Sequence, residues 1–95
     1  MTNIEIVNKS IKIIEKIDSD KIVVGAFNGD ECGCVLRHLY RADQSICFKI
    51  GDIIFDFLKI GLVDINDGMS RKYRQQTPKE RVLAAFNDCL ARMGT

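Results

Sequence analysis

Residues 43–61 read DQSICFKIGDIIFDFLKIG, and their spacing decides the fold class. Ile46, Ile50, Ile53, Ile54, Phe57 and Leu58 recur at intervals of three and four, the period of one helical face and not the alternation of a strand. They form the broadest apolar stripe in the chain. Asp43-Gln44-Ser45 offers oxygen-bearing side chains to cap its start. Gly51 lies inside the helix, where a small residue favours close packing. Gly61 is placed to stop it at the left-handed position after the last turn.

The same period continues on both sides. Ile4, Val7, Ile11 and Ile14 make a first helical stripe, widened by Ile6, Ile13 and Ile17, with Thr2 or Asn3 to cap it. Asp18-Ser19-Asp20 ends it with turn chemistry. Residues 21–27 are β-branched, yet no second convincing strand follows to pair with them. An extended, buried connector leading into the Asn28-Gly29 turn is the better reading. Cys32, Val35, Leu36, Leu39 and Tyr40 share a face of a second helix running to Arg41, with Asp30 and Glu31 at its positive end. Leu62 to Ile65 makes one short helical turn. Thr77-Pro78-Lys79-Glu80 is the sharpest local signal. Thr77 caps, Pro78 takes the first helical position, and Glu80 is expected to reach back to the Thr77 amide. Val82, Leu83, Phe86, Cys89, Leu90 and Met93 then face inward until Gly94.

The expected architecture is therefore all-α. One small domain over residues 1–95 holds four main helices, a short extra turn and one long basic loop at 67–77. Length and composition agree, with 95 residues, 46% apolar, 28% charged, seven Gly and one Pro. Such a chain is too apolar for disorder and too short for two cores. No apolar run is long enough to span a membrane, and no secretory pattern is visible, so a cytoplasmic protein with no membrane partner is expected.

Net charge is +1, but it is unevenly spread: −1 over residues 1–20, 0 over 21–44, −2 over 45–70 and +4 over 71–95. That excludes a general polyanion binder and leaves one small positive patch. Arg71, Lys72, Tyr73 and Arg74, with Lys79 and Arg81 just beyond, combine cations with an aromatic ring. These six are the candidate partner-binding residues. Arg and Tyr are frequent anchors at protein interfaces, and the same set can contact phosphate and stack a base.

No constellation points to catalysis. Cys32-Gly33-Cys34 with His38, completed by Cys47 or Cys89, has four zinc-ligand types. Its first spacing departs from common structural sites, whose paired cysteines stand two or more residues apart. Core thiols and a surface histidine are the plainer reading, and no cofactor is expected. A cysteine nucleophile lacks a glycine-rich turn and an oxyanion hole. Asp52 and Asp56 read as a solvated helix face. Asp64, Asn66 and Asp67 lack the terminal Glu of a calcium loop, so Asn66-Asp67 is expected to cap backbone groups at its turn. The apolar faces at 4–17 and 46–58 are broad enough to include a homodimer seam.

The order of short motifs resembles a family of uncharacterised small helical proteins found in bacteria and phages. The motifs are Gly25-Ala26-Phe27, Asp30 to Gly33, Cys34-Val35-Leu36-Arg37-His38-Leu39, Ile65-Asn66-Asp67, and a Thr77-led helix containing Glu80-Arg81-Val82-Leu83. Here Ile65 stands where that family has an aromatic residue, and Arg37 and His38 replace small residues of its helix. The resemblance implies an all-α fold and a bacterial or phage source, and no activity. With the absence of a catalytic set, the expectation is a small non-enzymatic protein-binding module. Such a phage or mobile-element accessory protein would inhibit or redirect a host protein, including a defence complex. A nucleic-acid-binding regulator using the basic loop is the alternative.

Overall fold

The computed structural model describes residues 1–25 and 33–94. The Asn28-Gly29 turn, the Asp30 and Glu31 charges and Cys32 lie outside the described residues. Among the described residues five helices follow in order: α1 (Asn3–Glu15), α2 (Val35–Ala42), α3 (Gln44–Leu58), α4 (Leu62–Asn66) and α5 (Pro78–Arg92). Ser19–Lys21 adds one 3-10 turn. The fold is all-α. Among the described residues extended pairing is limited to one isolated parallel bridge between Ile22 and Gly33.

Three of the helices, α1, α3 and α5, have a local chemical start. Thr2 and Glu5 form a full capping box on α1, each side chain accepting the other's backbone N–H. Asp43 Oδ1 accepts from the Ser45 and Ile46 amides at the start of α3. Ser45 Oγ and the Lys9 ammonium also hold this partly exposed carboxylate, whose pKa falls from an ordinary 3.8 to about 2. Thr77 Oγ1 accepts from the Glu80 amide. The expected reciprocal bond is absent, because the Glu80 carboxylate takes the Thr77 hydroxyl proton instead, at 2.9 Å.

Two helix boundaries differ from expectation. The left-handed residue ending α3 is Lys59, at φ +59°, and Gly61 instead precedes α4 as its N-cap. A chain reversing so soon needs the left-handed turn two residues before the glycine. Helix α2 starts at Val35, three residues later than the sequence suggested, and Cys34 caps it with no side-chain bond.

The core joins all five helices, with α5 against α1, α3 and α4, and α2 against α3 and α1. Phe86, Ile14, Ile50, Ile54, Leu39 and Ile65 are among its fully buried side chains. Each contributes roughly 1.5–3 kcal/mol by leaving water. Position 10 was not expected inside. Ser10 is buried because its hydroxyl donates to the Ile6 carbonyl one turn back, at 2.8 Å. His38, expected at the surface, is only 7% exposed, its Nε2 donating to the Lys21 carbonyl at 2.8 Å. No helix among the described residues is long and apolar enough to cross a membrane.

Candidate interaction sites

The basic loop leaves α4 through Gly68, at φ +77°, where a Cβ would meet the Arg81 guanidinium at 3.3 Å. Arg81 ties the loop to the end of α4. It projects from the first turn of α5 into the interior and is 7% exposed. Its Nε donates to the Ile65 carbonyl at 3.1 Å and its Nη2 to the Asn66 carbonyl at 2.8 Å. The cation thus closes the negative end of α4, and its Nη1 donates to the loop carbonyl of Gln75 at 2.8 Å. A planar fork with several donors suits three carbonyls in this way.

The six predicted contact residues therefore divide. Arg71, Lys72 and Arg74 are exposed. Tyr73, expected on the contact surface, is 2% exposed and packs in the core. Its hydroxyl donates to Asp88 Oδ2 at 2.8 Å, and burial, then Asp88, pushes its pKa well above the ordinary tyrosine range. Lys72 lies 5.7 Å from the centre of the Tyr73 ring. Lys79 is spent on structure, donating to the carbonyls of Glu15 and Ile17 at the end of α1. Arg81 is the buried clamp just described. The loop borders a polar recess of about 350 Å³ whose rim carries Met69, Arg71 and Arg74. With Tyr73 turned inward, no aromatic face of the loop is offered to a base.

Asn66 and Asp67 do hold backbone groups, but not those of their own turn. Asn66 is fully buried and reaches across the fold. Its Oδ1 accepts from the Val35 amide at 3.0 Å, so it serves as the missing N-terminal cap of α2. Its Nδ2 donates to the Val23 carbonyl and to Asp67 Oδ1, both at 2.9 Å. Asp67 Oδ1 in turn accepts from the Gly25 amide. One dipeptide thus fastens both ends of the connector leading to α2. Nothing nearby in sequence marks this role.

The described cysteines, Cys34, Cys47 and Cys89, are free thiols. Cys89 is buried, and burial raises its pKa. Cys47 is raised by burial and then by neighbouring Cys34, and its Sγ donates to the Leu36 carbonyl. Among the described residues no group of three or more His, Cys, Asp or Glu could hold a metal ion.

A second surface went unnoticed in the sequence. Phe48 and Phe55 lie seven residues apart on the outer face of α3 and are 68% and 54% exposed. Tyr40 of α2, 44% exposed, meets Phe48 edge-on with ring centres 5.9 Å apart. Gly51 lies between the two phenylalanines in sequence with open space where a Cβ would stand. It packs against no helix, contrary to expectation. The signal was legible, since Phe48 and Phe55 fall off the 46–50–53–54 stripe.

No protein-family model matches the chain, and neither a curated protein nor a solved structure matches it.

Proposed function

We propose that this protein is a non-enzymatic protein-binding module. The observation that supports the reading is the outward aromatic cluster of Tyr40, Phe48 and Phe55. At about 200 Å² per aromatic side chain, their exposed fractions amount to roughly 300 Å² of apolar surface. That is over a third of the roughly 800 Å² that each side of a standard complex buries. Aromatic anchors at the centre of an interface commonly carry most of its binding energy. Arg71 and Arg74 supply a separate cationic contact. The resemblance to small bacterial and phage proteins directs the choice of partner toward a host protein that this chain inhibits or redirects.

The test is native mass spectrometry of the tagged protein purified from its own cell. The wild type is expected to carry a stoichiometric protein partner or a second copy of itself. Phe48→Ser with Phe55→Ser should release it while the helical circular dichroism signal persists. A wild type found alone, with nothing bound, overturns the reading.

A further inference from the structure

A groove of about 580 Å³ runs between α1 and α2 on a part of the surface neither the loop nor the aromatic cluster uses. Its floor is apolar, made by Ile13, Ile17 and Ala42. Its rim is cationic, with Lys9, Lys12 and Lys16 along α1 and Arg41 on α2. A smaller recess continues it past Lys16 to Lys21 and Asp18. We propose that this groove takes an acidic amphipathic segment of a partner protein, its apolar edge on Ile13 and Ile17 and its carboxylates on the rim.

The charge pattern selects this occupant. Lys9 is held by Asp43 at 3.2 Å, but neither Lys12 nor Lys16 has an ion-pair partner among the described residues. Lys79 already satisfies the carbonyls at the end of α1, so Lys12 and Lys16 are not needed there. Positions 9 to 16 span about 10 Å along the helix. A single anionic headgroup neutralises one such site, whereas a chain bearing several carboxylates meets them all. A phosphodiester strand would also match the charge, yet it would leave the isoleucine floor uncovered, and the His38 ring in the groove lining is only 7% exposed, leaving little face for a base to stack on. Apolar anchors at helical spacing with acidic flanks satisfy both the floor and the rim.

The proposal rests on the protein-binding reading and names the chemistry of a partner. The probe is a fluorescein-labelled helical peptide of about 18 residues with one leucine stripe and glutamate elsewhere. Fluorescence anisotropy should show salt-sensitive binding, with amide shifts at Ile13 and Ile17 in heteronuclear NMR. Lys12→Glu with Lys16→Glu is expected to weaken binding about tenfold or more. Lys12→Arg with Lys16→Arg should retain it, as should Arg71→Glu with Arg74→Glu. No binding, equal binding of a scrambled peptide, or displacement by oligothymidylate or dodecanoate at similar concentration overturns the assignment. The two readings fail differently. A native partner kept by the Lys12/Lys16 variant but lost with Phe48 and Phe55 refutes the groove alone, and the absence of any partner refutes both.

Discussion

Replacing Asn66 by Ala should be the most damaging small substitution in the molecule. The side chain is fully buried and makes three hydrogen bonds. Its loss leaves the Val35 amide and the Val23 carbonyl without these partners and removes the side-chain cap that Asn66 gives α2. A buried polar group left unsatisfied costs about 1–3 kcal/mol, and a lost cap costs about 1 kcal/mol. Because the Val35 amide is both, the two figures overlap, and the expected loss is about 3 kcal/mol. A domain of this length has on the order of 5–14 kcal/mol in all. The midpoint of thermal unfolding should therefore fall by roughly 12–24 °C, at about 4–8 °C per kcal/mol. Circular dichroism melting and urea titration measure it. Asn66→Asp supplies a signed control. The carboxylate still accepts from Val35, but it opposes the Val23 carbonyl and the Asp67 carboxylate, so its folded pKa lies above its unfolded value. Stability is then fully present below the unfolded carboxylate range near pH 4 and is lost as pH rises through the folded value. Its deficit against wild type should shrink between pH 7 and pH 4. A loss under about 1 kcal/mol for Asn66→Ala, or a deficit for Asn66→Asp that ignores pH, would refute the hub argument.

Three further outcomes are expected. Arg81→Lys keeps the charge but cannot span three carbonyls, and should cost about 2–3 kcal/mol in urea unfolding while speeding proteolysis within 67–77. Lys59→Gly relieves a side chain at φ +59° and should raise stability by about 1 kcal/mol, seen as a higher melting midpoint. Asp43, held near pKa 2 by Ser45 and then Lys9, contributes stability that is present above its ordinary 3.8 and lost as pH falls from there through 2. Asp43→Asn retains a cap and should flatten that part of the acid unfolding curve; an unchanged curve would show that the carboxylate is not the titrating group.

The helices were legible because their causes are local. A stripe such as Ile46, Ile50, Ile53 and Ile54, or the Thr77-Pro78 start, involves residues within one or two turns of each other. Periodicity and capping therefore settle the element before any packing occurs. The same locality accounts for the exposed Asp52 and Asp56 and for the inward face of α5 at Val82, Phe86 and Cys89. The misplacements also have local reasons to look right. Gly61 is the customary residue at a helix end, yet the reversal into α4 falls on Lys59. Tyr73 and Arg81 sit in a basic run, and charge alone reads as surface.

Only the tertiary structure decided which of those residues go inside. Arg81 can be buried because α4 happens to end opposite it with two open carbonyls, fifteen and sixteen residues away in the chain. His38 can be buried because the Lys21 carbonyl, seventeen residues earlier, accepts its proton. Asn66 becomes the cap of α2 across thirty-one residues and the anchor of Val23 across forty-three. Burying a polar side chain is tolerable only when a partner stands in place. For these residues the partner is supplied by chain that folds back from far away, and no local pattern can encode it. The α1/α2 groove likewise exists only because Lys12, Lys16 and Arg41 come from helices that meet in space. The sequence by itself determined an all-helical chain and the faces of its helices; long-range closure determined its interior cation, its polar hub and the surfaces left open to a partner.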